Sequence, residues 1–268
     1  MLVLGLFDFR GGCQKTIHAR HCKIERNVVH QGILIMSQSP DGSRFAEKFF
    51  GRRAGQTLRD NHVRLMENLL PKLRVPDDAD CLRDPRALFE DPVSEVWLEV
   101  GFGGGEHLAW QATANPRVGF IGGEPFINGV AKLLSLLERG DLSNVRIIDD
   151  DIRPRLDQMG DQTISRAFLL FPDPWPKLRH HKRRFVNQAN LERLHRIMEP
   201  GAEFRVASDI DHYIRWSLRE VAGHGGFTLL SDSPEDWRQR SADWPQTRYE
   251  AKAVREGRTC EYLRFIRV

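Results

Sequence analysis

Along residues 96–268, short apolar runs alternate with stretches in which apolar positions return every three or four residues, the respective signatures of strands and of amphipathic helices. Runs at 96–100, 118–121, 145–148, 167–171, 204–207, 227–230 and 262–268 predict seven strands. Between the second and third, Val130, Leu133, Leu134 and Leu137 fall at i, i+3, i+4 and i+7 and predict a helix with one buried face that stops at Gly140. Helices are also predicted over about 184–198, before the breaker Glu199-Pro200-Gly201, and about 213–221. Such alternation predicts an α/β domain over 93–268: a mostly parallel, seven-stranded sheet with helices on both faces. No helical pattern separates the last two runs, so they are expected to pair antiparallel at one edge.

The stretch before this domain reads differently. Residues 44–74 carry Phe49-Phe50-Gly51-Arg52-Arg53, then Leu58, Val63, Leu65, Met66, Leu69 and Leu70 at helical spacing, with eight basic residues against three acidic ones. That predicts a helix packed on the domain, and its cations also suit an arm that touches nucleic acid. Acids and prolines over 76–92 predict a connecting loop, so 36–92 is read as an N-terminal arm with its connection. Residues 1–35 hold five Lys/Arg against two Asp/Glu and account for the whole net charge of +3. Their apolar start lacks a basic n-region and a cleavage site and is interrupted by Asp8, which argues against a signal peptide. Met36, followed by a polar stretch, is expected to be the initiator, with 1–35 a disordered or wrongly assigned extension.

Composition narrows the class. No run approaches the ~18 apolar residues of a membrane span, and 29% of residues are charged, so a soluble cytoplasmic protein is expected. Cys13, Cys22, Cys81 and Cys260 form no C-x-x-C and have no histidine at ligand spacing; reduced thiols and no metal site are expected.

Candidate chemistry concentrates where the first strand ends, in Val96-Trp97-Leu98-Glu99-Val100 followed by Gly101, Gly103, Gly104 and Gly105. A strand running into glycines and then a helix is a cradle for a small molecule, because glycine lets the ligand approach the backbone. The dinucleotide fingerprint fails, since Glu106 stands at its third glycine, and no Gly-Lys-Ser/Thr of a P-loop follows. Taken alone, Glu99 could simply cap the following helix. In a parallel sheet, however, ligands bind outside the carboxyl ends of strands, and those ends read Glu99, Glu124, Asp151, Asp173 and Asp209. Five carboxylates around one crevice disfavour a phosphate-rich cofactor. They favour a cation such as S-adenosyl-L-methionine, whose ribose diol suits Glu124 at the end of the second strand.

The fourth strand ends in Phe171-Pro172-Asp173-Pro174-Trp175-Pro176-Lys177. Flanking prolines restrict the backbone around Asp173, and Trp175 offers a face on which a base could stack; a rigid turn with a core tryptophan is the plainer alternative. The run Lys177, Arg179, His180, His181, Lys182, Arg183, Arg184 holds five Lys/Arg and no acid. Beside the crevice it is placed to hold phosphates, making nucleic acid the favoured macromolecular partner.

Assembled, these pieces resemble the bacterial tRNA (guanine-N7)-methyltransferase family, a branch of the Rossmann-like, class I S-adenosylmethionine-dependent methyltransferases. The resemblance runs from about Phe49 to Val268 and rests on Phe50-Gly51-Arg52-Arg53, Leu98-Glu99-Val100-Gly101-Phe102-Gly103, Gly123-Glu124, Phe171-Pro172-Asp173-Pro174-Trp175 with Lys177 and Lys182-Arg183-Arg184, Ser208-Asp209, and Thr247-Arg248-Tyr249-Glu250. It implies Glu99, Gly101, Gly103, Glu124, Asp151 and Asp173 as cofactor-binding residues, with Asp150 in reserve for Asp151. It further implies Asp173 as the catalytic residue, Lys177, Asp209, Thr247, Arg248, Tyr249 and Glu250 as substrate contacts, and Arg179 to Arg184 as the RNA-facing segment. The implied partner is tRNA, bound by a monomer or homodimer. The alternatives are a methyltransferase fold acting on another RNA or a small molecule, and a non-catalytic tRNA-binding protein.

Overall fold

A computed structural model describes residues 48–268 except positions 232 and 234; the expectations for 1–35 and for Met36 lie outside the described residues. The elements are α1 (Asp60–Asn68), α2 (Leu70–Leu73), β1 (Glu95–Val100), α3 (Glu106–Ala114), β2 (Val118–Gly123), α4 (Ile127–Gly140), β3 (Val145–Ile148), α5 (Arg153–Gln158), β4 (Ile164–Leu170), α6 (Gln188–Ile197), β5 (Met198–Ser208), α7 (Asp211–His224), β6 (Phe227–Leu229), α8 (Arg248–Arg255) and β7 (Glu261–Arg267). The seven strands make one sheet in the order β3-β2-β1-β4-β5-β7-β6. The pairs among β1 to β5 are parallel, and β7 runs antiparallel to both of its neighbours. This is the class I methyltransferase arrangement, with the expected antiparallel edge. The chain leaves β1 toward β2 on one side and returns through β4 on the other, which opens a crevice at the carboxyl ends of these strands.

Period-2 alternation divides β1 between two cores. Val96, Leu98 and Val100 join the core that contains Ile148, Ile152, Leu191 and Phe204. Trp97 faces the other, with Phe120, Phe168, Leu133 and Leu137. Four of the α4 positions picked out by their spacing, Val130, Leu133, Leu134 and Leu137, are all buried. The arm helix begins later than the apolar pattern, at Asp60, buries Leu65, and is tied to α4 by Arg64, whose Nη2 donates to both Glu138 oxygens at 2.8 Å.

Two helices escape the hydrophobic pattern. α5 is six residues long and buries only Leu156. α8 lies between the last two strands, where none was expected; only Glu250 and Ala253 of it are buried, so it has no apolar stripe to betray it. The connecting stretch 76–92 is also more ordered than a loop, with 3-10 turns at Ala79–Leu82 and Pro85–Leu88, each opened by an aspartate cap.

The first turn of α4 packs directly on the glycine turn after β1. A Cβ built on Gly129 would stand 2.1 Å from the Gly103 carbonyl oxygen, a contact that only displacement of backbone could relieve. Gly129→Ala is therefore expected to cost about 1–3 kcal/mol, the usual range for overpacking, read as a lower urea midpoint at unchanged m-value.

Candidate active site

A cavity of about 560 Å³ opens at the carboxyl ends of β1, β2 and β4, within the size range of small-molecule sites. Gly101 and Gly103 form its floor at φ +71° and +57°. No atom lies within 4 Å of where a Cβ on Gly101 would stand, so the backbone there is open to a ligand. Glu124, at the end of β2, accepts from the amides of Gly103 at 2.7 Å and Phe126 at 2.9 Å. These bonds fix the carboxylate at the cavity wall and leave lone pairs for a ligand. Burial, with the nearby Asp173 charge, still pushes its pKa above the usual carboxylate value.

The three consecutive acids after β3 each meet a different arginine: Asp149 with Arg74 at 2.5 Å, Asp150 with Arg53 at 2.7 Å, Asp151 with Arg153 at 2.6 Å. Asp150 and Asp151 line the cavity. Two of the five strand-end acids do not join it. Glu99 lies on the Trp97 side of β1 and is 2% exposed, where its carboxylate meets His107 Nδ1 at 2.7 Å. The Gln111 amide reaches both His107 Nε2, at 3.2 Å, and the Asp243 carbonyl, at 2.7 Å. His107 Nδ1–H thus donates to the Glu99 carboxylate while its other ring nitrogen meets the Gln111 amide. Asp209 is paired at 2.6 Å with Arg258. The expectation of five acids around one crevice is corrected accordingly: alternation turns Glu99 under the glycine turn, and a distant arginine holds Asp209.

The turn after β4 is strained. Phe171 and Trp175 have φ of +51° and +40°, a region that bulky side chains rarely occupy. Arg184 holds it: Nε donates to the Pro174 carbonyl at 2.9 Å and Nη2 to the Trp175 carbonyl at 3.4 Å, while its guanidinium lies over the rings of Tyr213 and Trp216. At 1% exposure Arg184 cannot face RNA, which corrects its assignment to the RNA-facing segment. Asp173 lines the cavity from this turn, with no ion pair among the described residues. Desolvation by the surrounding walls raises its pKa.

The rest of the basic run divides by position. Lys177, Arg179 and Lys182 are exposed. His180 and His181 are half-buried edge-on to Trp175 and Trp216, and Arg183 lines the cavity. Thr247-Arg248-Tyr249-Glu250 proves to be a capped helix start: Thr247 Oγ1 accepts from the Glu250 amide at 3.2 Å, while the Glu250 carboxylate, also buried, accepts from Arg240. Thr247 and Glu250 thus build the start of α8, and Tyr249 reaches the cavity, stacked on Phe171 with ring centroids 6.5 Å apart. Arg248 Nη2 donates to the Tyr249 hydroxyl at 3.1 Å. Sequence reasoning missed His107, Arg153 and Phe126; only the T-x-x-E spacing could have announced α8.

Among the described residues no group of His, Cys, Asp and Glu could hold a metal, and no helix is long and apolar enough to cross a membrane. A family model described as "Putative methyltransferase" matches residues 94–263. The tRNA (guanine-N(7)-)-methyltransferase of Agrobacterium fabrum is 51% identical over 225 residues, covering 84% of this chain and 97% of that protein. The chain belongs to the tRNA (guanine-N(7)-)-methyltransferase family. Members bearing that name from a Ruegeria species and from Brucella anthropi are 52% and 48% identical, covering 82% and 87% of this chain and 87% and 100% of their own lengths. The family match takes in the glycine turn, Glu124, the strained turn and α8 together.

A carboxyl whose pKa is raised by folding contributes stability below its ordinary pKa that is lost as pH rises through the folded value. Asp173→Asn removes that loss. The variant is expected to melt slightly above the wild type at pH 7.5, by an amount kept small by the exposure of Asp173, with the difference narrowing as pH falls toward the ordinary aspartate range; thermal scans across pH check this.

Proposed function

We propose that this chain transfers a methyl group from S-adenosyl-L-methionine to N7 of a guanine in the variable loop of tRNA, in the cytoplasm. The observation that carries the reading is the charge left in the cavity. Asp150 and Asp151 are each held by an arginine, while Glu124 and Asp173 face the same space with no ion pair among the described residues. Two raised carboxyls in one half-enclosed site are stabilised by a cation placed between them, not by a phosphate. The names carried by the relatives supply the substrate class.

The residues fit such a cofactor. Gly101 and Gly103 let it lie on the backbone, Glu124 accepts from its diol, Asp151 stands beside it, and Phe126 and Ile152 provide apolar wall. Glu99, anchored by His107, adds a buried negative charge beneath the turn. When bound, the cofactor supplies a methyl group on a sulfonium, which leaves as a neutral thioether. Guanine N7 has a lone pair in the ring plane, so it can be alkylated without first losing a proton and needs no strong general base. The protein's task is alignment, which is worth up to about 7–11 kcal/mol, and tolerance of the positive charge left on the purine. Asp173 offsets that charge from the cavity wall. Tyr249 and Arg248 border the substrate side, and Lys177, Arg179 and Lys182 face the RNA backbone.

Methyl transfer from labelled cofactor to tRNA lacking the modification, followed by nucleoside digestion, should yield 7-methylguanosine; absence of transfer despite cofactor binding would reject the substrate. Asp173→Ala should slow single-turnover transfer at least about 100-fold, as loss of a group that stabilises developing charge does, with tRNA affinity nearly unchanged. Replacing Lys177, Arg179 and Lys182 by alanine should do the reverse, weakening tRNA binding and reducing the slope of log affinity against log salt by about 2–3, measured by filter binding at several ionic strengths.

A further inference from the structure

One cluster of cavity side chains takes no part in holding the cofactor or in offsetting charge on the purine. The Arg183 guanidinium lies between two aromatic rings, with Cζ 4.1 Å from the Phe50 centroid and 5.0 Å from the Trp175 centroid. All three side chains line the same cavity as Asp173. Arg183 Nε is shut off from solvent yet has no hydrogen-bond partner. Its neighbour Arg184, by contrast, spends its donors on two carbonyls. An unpaired buried donor is costly, and Trp175 is held at φ +40° to present its ring there. A planar cation thus fills a gap between two flat apolar faces at the expense of its own hydrogen bonding.

We propose that Phe50 and Trp175 are the two walls of a slot for the target purine, and that Arg183 occupies this slot until RNA enters, then moves out to the phosphate backbone. The inference rests on the proposed reaction. Chemistry on a base requires the base to leave its stack and enter a pocket, and aromatic faces recover the stacking that it gives up. A sandwich suits N7 in particular. It fixes the plane of the ring while leaving the rim open, and the N7 lone pair lies in that plane, so the clamped base presents its reactive edge to the cavity that holds Asp173. A planar guanidinium is the side chain closest in shape to such a ring, and once displaced its five donors are free for phosphate. The slot also gives the Phe49–Arg53 segment a role: Phe50 is brought there because the Arg53 carbonyl accepts from the Ile127 amide at 2.9 Å and Arg53 pairs with Asp150.

The test uses the full chain and tRNA in which the nucleotide that receives the methyl group is replaced by a fluorescent guanine analogue. Binding should quench the analogue in the wild type and in Phe50→Tyr, which keeps the flat face, and quench it far less in Phe50→Leu. On ordinary tRNA, Phe50→Leu should lower the single-turnover rate by about 10-fold, the size of one lost stacking face, with Phe50→Tyr within about 2-fold of wild type. Calorimetric cofactor affinity should be the same in all three. Equal quenching and equal rates across the three proteins would overturn the slot. So would a loss of cofactor affinity in Phe50→Leu that matches its loss of rate, which would make Phe50 a roof over the cofactor instead. Failure of the wild type to form any 7-methylguanosine is a separate outcome: it removes the reaction itself, and the slot with it.

Discussion

The reactive side of the molecule hangs on one buried cation. Arg184 lies under the turn after β4, between that turn and α7, and its burial is tolerable only because two carbonyls and two aromatic rings receive it. Removing any of those partners would leave a charge in a place that cannot hold one. The dependence runs the other way as well, since Trp175 sits at a positive φ that nothing local favours. The arginine, the strained turn and α7 therefore stand or fall together, and Asp173 and Trp175 owe their placement to that mutual constraint.

Around this brace the protein distributes its acids unevenly. Asp149, Asp150 and Asp151 are each matched by an arginine from a different part of the chain, and Glu99 by a histidine under the glycine turn. The exposed Arg53–Asp150 pair adds little stability. Together with Arg153–Asp151 its effect is to offset negative charge at the cavity wall selectively, so that what remains is concentrated at Glu124 and Asp173. Both carry raised pKa values, Glu124 mainly through burial and Asp173, whose side chain is exposed, through partial desolvation at the cavity wall. Such a site stores an electrostatic cost that a bound cation relieves, the usual relation between a strained site and its ligand.

Several features were legible before any fold was known. The apolar spacing of α4 marked its buried face correctly, and the strand runs announced all seven strands, because burial on one face or between two layers leaves a periodic trace. The glycine turn and the Pro-Asp-Pro-Trp stretch marked the cavity because backbone restriction is written in residue type. α8 left no such trace, since it is held by a cap and by polar contacts at its first turn. The basic run misled at Arg184 for a related reason: a charge surrounded by charges reads as solvated, and only Tyr213 and Trp216, some thirty residues later, take it out of water.

The sequence by itself determined the fold class, the location of the cradle and the acid on the rigid turn, all of which follow from local periodicity and from the conformational limits of glycine and proline. Only the tertiary structure decided which charges are free. Whether a carboxylate or a guanidinium faces a ligand, a partner or the core depends on side chains that arrive from other elements, and it is these contacts that turned Glu99 to His107, Asp209 to Arg258 and Arg184 to the core, and left Glu124 and Asp173 facing the cavity.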